Sequence, residues 1–387
     1  MKKNIVVLGS TGSIGKTTIN ILKKDKKYIN IILLTTNKNI RQLSKQIRFF
    51  NVKNVVINDF KSYLKFKKNL KNKNINVFNN FDSVKKIFLK KVDYTMCSIS
   101  GLDGLKPTID AISYSKRIGI ANKESIICAW NLINKKLKFY NTEFIPVDSE
   151  HFSIWSLIQG TDRNNIDKIY ITASGGPFLK WPIKKIINAK PKAALNHPNW
   201  SMGNKISIDS ATLMNKVFEV IEAQRIFNID LSNFEILIHE KSYVHAIVKF
   251  NNGLTKILIH DTKMDIPIFN TIYNKSNKKI ISKDLNFDLL NNLQFQKVDE
   301  KIFPSINLLK LINNKVSLFE TILVSCNDEL VNMYLAKKIK FNEISLYLSK
   351  IISLKEFTKY KNKTPKNINE INTLNKYVRL KTKTLCI

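Results

Sequence analysis

Six short apolar runs in the first 147 residues, at 5–8, 29–35, 54–57, 92–97, 117–121 and 144–147, alternate with segments of helical periodicity at 14–22, 40–49 and 104–115. Runs this short read as strands, and the amphipathic stretches between them read as crossover helices. Strand–helix alternation of this kind predicts an α/β, Rossmann-like, doubly wound parallel sheet. The first run enters Gly9-Ser10-Thr11-Gly12-Ser13-Ile14-Gly15, which opens the first helical segment. Glycine lets the backbone turn sharply, and N–H groups at a helix start hold phosphates. A dinucleotide loop is expected, with Thr11, Gly12, Ser13 and Ile14 against the cofactor. Gly15-Lys16-Thr17 ends as a P-loop ends, but Ser10 stands where that motif needs glycine. The second run ends at Thr35-Thr36-Asn37-Lys38-Asn39. It has no carboxylate for a ribose 2′-hydroxyl, and Lys38 suits a 2′-phosphate, which favours NADPH over NADH.

Beyond the NADPH-binding domain at 1–147, the pattern changes. Residues 148–275 read as an α+β catalytic domain. It carries Gly, Pro, Trp and His punctuation over 172–204, a helix over 211–227, and antiparallel strands at 234–238, 244–250 and 254–259. Residues 276–302 lack periodicity and read as a linker, and 303–387 read as a C-terminal helical domain.

The formal charge of +34 raises the question of nucleic acid. The lysines are scattered among asparagines and isoleucines, residues with AT-rich codons, and no basic patch interleaved with aromatics emerges. No nucleic-acid partner is expected; the charge instead favours an anionic small substrate. No apolar run approaches the roughly 20 residues of a membrane helix, so no membrane partner is expected. The apolar run after Met1-Lys2-Lys3 is too short for a signal peptide, so a cytoplasmic location is expected. Cys97, Cys128, Cys326 and Cys386 form no C-x-x-C pair and read as reduced thiols.

Val147-Asp148-Ser149-Glu150-His151 closes the last N-terminal run. In extended chain Asp148 and Glu150 project to one side, where two carboxylates repel unless a cation sits between them. Mg²⁺ or Mn²⁺ prefers such oxygens. Glu219 and Glu222, three apart on a predicted helix, can share a face. Each feature alone also fits a solvated strand end or helix surface. His151 reads as a packing residue, and His239, His245 and His260 receive no role. Between the carboxylates lie Ser174-Gly175-Gly176-Pro177, then Asn196-His197-Pro198-Asn199-Trp200-Ser201-Met202-Gly203, then Ser210 and Asn215-Lys216. Hydroxyls, an amide and an ammionium near a helix start suit a phosphate or phosphonate.

Together, residues 9–15, Ala121-Asn122-Lys123-Glu124-Ser125, 146–151, 174–178 and 197–222 resemble the 1-deoxy-D-xylulose 5-phosphate reductoisomerase family. The resemblance covers most of the first 225 residues in family order and carries few motifs through 270–387. It implies a metal-assisted rearrangement and NADPH reduction of that phosphorylated sugar to 2-C-methyl-D-erythritol 4-phosphate, in non-mevalonate isoprenoid synthesis. By the same resemblance, Asp148, Glu150 and Glu219 are metal ligands and catalytic, and Lys123 lies near the reacting centre and the nicotinamide. Lys123, Ser149, Glu150, Ser174, His197, Ser210, Asn215, Lys216 and Glu219 contact substrate, with Glu222 beside them. Asn37, Lys38, Asn39, Asn122, Lys123, Glu124 and Gly203 join the glycine loop at the cofactor. Trp200 and Met202 belong to a flexible lid that starts at Ser174, and a homodimer is implied. The chain departs from the family at Asn37, often glycine, and at Lys263, often acidic. The rival reading is a metal-independent NADP sugar-phosphate dehydrogenase, which would survive EDTA.

Overall fold

The expected N-terminal runs become strands because alternate β-branched and leucine side chains leave water on both faces of one sheet. In the computed structural model, which describes residues 2–70, 74–200, 202–274 and 276–386, these are β1 (Lys3–Leu8), β2 (Ile29–Thr36), β3 (Asn54–Ile57), β4 (Asn76–Phe78), β5 (Tyr94–Cys97), β6 (Arg117–Ile120) and β7 (Glu143–Pro146). Ser201, inside the expected lid, lies outside the described residues, as does Met1. The strands form one parallel sheet in the order β4-β3-β2-β1-β5-β6-β7. Strand order reverses beside β1, and in such sheets ligands bind past the carboxyl ends of the strands at that reversal. The glycine loop follows β1 and Ser98 follows β5, so both stand at this position. β4 was not expected; its three residues are too few to show periodicity.

Two compact units divide the chain, one formed by Met1–Ser125, Leu132–Asp148 and Met264–Ile280, the other by Ile126–Asn131, Ser149–Lys263 and Ile281–Ile387. This differs from the expected borders at 147, 275 and 302. The helix Asp265–Tyr273, expected with the catalytic domain, buries Ile268, Phe269 and Ile272 in the core of the first unit, and Thr271 Oγ1 lies 2.8 Å from Tyr94 Oη. The expected linker also contains a helix, Phe287–Asn291, and a short strand.

The second unit is built on a mixed sheet of β8 (Ile166–Ala173), β9 (Phe234–Ile238), β10 (Val244–Phe250), β11 (Thr255–Ile259) and β12 (Gln296–Lys297), in the order β11-β10-β8-β9-β12. β10 and β11 pair antiparallel as expected, whereas β9 runs parallel to β8, a strand the sequence reading passed over. The helices Ser149–Leu157 and Met214–Phe227 cover this sheet through Ile154, Val220, Ala223 and Phe227. The helix expected over 211–227 begins at Met214 and runs to Phe227, and a separate helix that was not expected, Asn204–Ala211, precedes it; the chain breaks between the two where Leu213 takes φ 61°. A left-handed leucine is unfavourable, and here it re-aims the chain so that Asn215, Lys216 and Glu219 fall in the first turns of a new helix. The C-terminal segment is helical as expected, centred on Leu318–Leu335, which is buried over most of its length and packs against Ile368–Leu385.

Candidate active site

In the first unit the glycine loop is fastened to the end of β2. Gly9 N donates to Thr35 Oγ1 at 2.7 Å, Ser10 Oγ donates to Gln46 Oε1 at 2.7 Å, and the Thr11 and Thr36 hydroxyls are 2.6 Å apart. Gly9 has φ +78°, and a Cβ on Gly15 would lie 2.2 Å from Gly9 O. Helix Ser13–Lys24 therefore packs directly on the loop backbone, which only glycine permits. Gly12 is its N-cap, with no side-chain capping bond, so the first-turn N–H groups are presented to an incoming anion. This is a cradle of the shape a pyrophosphate requires. Asn37, Lys38 and Asn39 follow β2 and are exposed; Asn39 also caps Ile40–Phe50 by accepting from Gln42 N at 3.1 Å.

Asn122 caps the helix Lys123–Phe139: its Oδ1 accepts from Ser125 N at 2.7 Å, and its Nδ2 donates to Gly101 O at 2.6 Å and to Ile99 O. Its amide is thus committed to holding the loop after β5, leaving its backbone for any ligand. Lys123 Nζ lies 3.4 Å from Asp148 Oδ2, and Lys123 and Glu124 are buried.

Ser149 and Glu150 are the first residues of the helix Ser149–Leu157, not the expected continuation of a strand. Alternation in extended chain therefore does not explain why Glu150 faces its partners; the helix start does. Ser149 Oγ donates to Glu150 Oε2 at 2.5 Å. The Lys216 ammonium bridges Glu150 Oε1 and Glu219 Oε2, the latter at 2.5 Å, and Asn215 Nδ2 donates to Glu219 Oε1. Glu150 and Glu219 thus converge on one cation, although they are 69 positions apart in sequence. Glu222 diverges from Glu219: its Oε2 lies 3.5 Å from His151 Nδ1, while His151 Nε2 is 2.8 Å from the Glu219 carbonyl oxygen. His151 is fully buried, consistent with a supporting position.

Ser174 follows β8, and His197 comes to it from the loop after Pro191–Ala194. His197 Nδ1 accepts from Asn199 N at 3.1 Å and from Trp200 N at 3.0 Å. The imidazole proton must then sit on Nε2, which donates to Ser174 Oγ at 3.1 Å. Gly176 N also donates to Ser174 Oγ, at 3.2 Å, so the serine hydroxyl can spend its own hydrogen on an anion. Burial, then the nearby Lys216 charge, pushes the His197 pKa down to about 4, so the ring is neutral at pH 7. Ser210 lies in the last turn of Asn204–Ala211, while Met202 and Gly203 precede that helix. Trp200 meets His245 edge-on, with ring centroids 6.3 Å apart, and His245 stacks on His260 at 3.7 Å. The sequence reading assigned those histidines no role. His245 falls at the irregularity in β10 between Val244 and Ala246, and His260 follows the end of β11, so the pairing of the two strands, which local sequence does not show, brings them together.

Comparison with known proteins places this geometry among relatives. Family profiles described as 1-deoxy-D-xylulose 5-phosphate reductoisomerase, the C-terminal domain of that enzyme, and DXP reductoisomerase C-terminal domain match residues 5–130, 144–227 and 260–381. A 1-deoxy-D-xylulose 5-phosphate reductoisomerase of Pelagibacter ubique is 58% identical over 100% of both chains, and one of Clostridium novyi is 36% identical over 95% of each. The solved Zymomonas mobilis reductoisomerase in complex with NADPH is 31% identical, with a TM-score of 0.88 over 100% of this chain and 99% of its own. A DOX-P reductoisomerase solved with NADPH, fosmidomycin and magnesium is 29% identical, with a TM-score of 0.91 over 99% of this chain and 98% of its own.

Proposed function

The chain belongs to the 1-deoxy-D-xylulose 5-phosphate reductoisomerase family, and from that premise we propose how its own residues divide the work of an NADPH- and divalent-metal-dependent conversion of 1-deoxy-D-xylulose 5-phosphate to 2-C-methyl-D-erythritol 4-phosphate. The observation that carries the proposal is the convergence of Glu150 and Glu219 on one cation, the Lys216 ammonium. Oxygen donors gathered at that spacing fit a hard divalent ion once the ammonium turns to the substrate phosphate. Asp148, the residue before this helix, is the third ligand in the reading. A divalent metal there supplies Lewis-acid polarisation of the substrate's carbonyl and hydroxyl oxygens.

The remaining work falls to the chain. Ser174, Ser210, Asn215, Lys216 and the neutral Nε2–H of His197 bind the phosphate as hydrogen-bond donors. Ser149 orients Glu150 through the hydrogen bond it donates. Lys123 stands beside Asp148 and steadies negative charge at the reacting centre. His151 braces the helix that carries Glu219 through its bond to the Glu219 carbonyl. Trp200 and Met202 cover the substrate and exclude water while the carbon skeleton rearranges. Thr11, Gly12, Ser13, Ile14, Asn37, Asn39, Asn122, Lys123, Glu124 and Gly203 would seat NADPH, which would supply the hydride when bound, with Lys38 at its 2′-phosphate. Homodimer formation is part of the proposal, supported by family likeness and by edge strand β11, where Ile257 is exposed. A cytoplasmic location is supported by four free cysteines, which suit a reducing compartment.

Turnover is the first test. NADPH oxidation with 1-deoxy-D-xylulose 5-phosphate is expected to stop in EDTA and to return with Mg²⁺ or Mn²⁺; activity that persists in EDTA would favour the metal-independent dehydrogenase. Lys38 has its own test. Losing one charge-assisted phosphate contact is worth about 1.5–3 kcal/mol, so Lys38→Glu should raise the NADPH KM by roughly 10- to 100-fold. Its NADH KM should change little. Equal changes for both cofactors would remove Lys38 from the 2′-phosphate site.

A further inference from the structure

One side chain of the lid makes contacts that neither metal, cofactor nor phosphate chemistry requires. Asn199 Nδ2 donates to Glu240 O at 2.6 Å and to Ser242 Oγ at 2.9 Å. Both acceptors lie in the turn between β9 and β10. That turn is firmly tied down. His239 N donates to Ala173 O at 2.7 Å, Ser242 N donates to His239 O at 3.0 Å, and Ser242 holds φ +50°. Ala173 is the last residue of β8, immediately before Ser174. The contacts therefore close a ring. The turn is fixed to the strand end that carries Ser174; Asn199 is fixed to the turn; the Asn199 and Trp200 N–H groups hold His197 Nδ1; and His197 Nε2 reaches back to Ser174. The nearby Lys180–Glu240 ion pair, 2.7 Å long, is too exposed to do the same, since pairs at the surface contribute little.

We propose that Asn199 is a positioning residue: its amide latches the lid to the 239–242 turn and so sets the rotamer and tautomer in which His197 presents Nε2–H to the substrate. The donor is what matters. Both bonds leave from one NH₂ group, and the stronger acceptor, a backbone carbonyl, cannot donate in return. An aspartate of the same shape would face that carbonyl with an oxygen. Without the latch, the loop must be ordered by substrate on every binding event, which weakens binding of ground state and transition state alike.

The inference rests on the reading of His197 as a substrate contact, and the experiment separates the two. Steady-state kinetics are measured for wild type, Asn199→Asp, Asn199→Ala and His197→Gln, with NADPH affinity and melting temperature alongside. Both Asn199 variants are expected to raise the KM for 1-deoxy-D-xylulose 5-phosphate about tenfold, to change kcat by less than about threefold, and to leave NADPH affinity unchanged. In ¹⁵N spectra, the His197 signal, assigned by its loss in His197→Gln, should move from a fixed Nε2–H tautomer towards a mixture of tautomers. A residue that only packs would lower the melting temperature and move neither KM nor tautomer. Wild-type KM and an unchanged ¹⁵N signal in Asn199→Asp, with KM raised in His197→Gln, would overturn the latch alone. Wild-type KM in His197→Gln would remove the substrate contact itself, and the latch with it.

Discussion

Glu219→Gln is expected to lower turnover by at least about 10²- to 10³-fold with Mg²⁺ and NADPH, the scale on which preorganised electrostatic groups act, while NADPH affinity stays at the wild-type value. The carboxylate is buried, takes Lys216 Nζ at 2.5 Å and accepts from Asn215 Nδ2. Glutamine keeps one oxygen for those donors, so the helix Met214–Phe227 should hold its place. What it loses is the charge that a hard cation needs. Its NH₂ group also turns a donor towards the Lys216 ammonium. Turnover is read by NADPH absorbance, affinity by NADPH fluorescence. A variant within about threefold of wild-type turnover would remove Glu219 from the reaction.

The largest expected effect on stability lies away from the chemistry. Arg225 Nη2 meets Glu320 Oε1 at 2.5 Å, and each side chain is 1% exposed. Arg225 also donates to Asn314 O at 2.7 Å and to Asn313 O at 3.0 Å. Glu320 in turn closes a capping box at the start of Leu318–Leu335, its Oε2 accepting from Ser317 N at 3.0 Å. Burial pulls both groups towards their neutral forms, raising the Glu320 pKa and lowering that of Arg225. Removing one partner leaves the other charge buried without compensation, which costs about 3–5 kcal/mol. Arg225→Met should therefore destabilise the protein by that amount in urea unfolding, and Glu320→Leu added to it should recover part of the loss. A loss under about 1 kcal/mol would show that the pair carries little of the packing between these helices.

Much of the first unit is readable because β1, β2, β3, β5, β6 and β7 each hold a short, mostly apolar run, and because Gly9, Gly12 and Gly15 mark a place where helix and loop backbones touch. The second unit hid more. β8 carries Asp167 and Lys168 among its first residues, which blurred the apolar run. Alternation reveals a strand but not its direction, so β9 was placed antiparallel when it runs parallel to β8. The helix Ser149–Leu157 is buried from Ser149 through Ile154, so it lacks the polar face that makes a helix visible in sequence. That is why Glu150 was read as strand. Glu150, Lys216 and Glu219 stand out as candidates through the family resemblance and because hydroxyls, an amide and an ammonium beside glycine and proline breakers are an unusual collection for a core. Their convergence does not, because no local spacing brings position 150 to position 219. The Asn199 latch and the Arg225–Glu320 pair were invisible for the same reason: each joins segments far apart along the chain, 95 positions in the second case.

Manganese binding tests the central claim most directly. Titration of the protein with Mn²⁺, followed by the loss of the free-ion EPR signal, should show one tight site in wild type. In both Glu150→Gln and Glu219→Gln that site should weaken by at least about 10- to 100-fold, the cost seen when even the groups supporting a ligand are lost. Wild-type Mn²⁺ affinity in either variant would contradict the assignment of these two carboxylates to the metal.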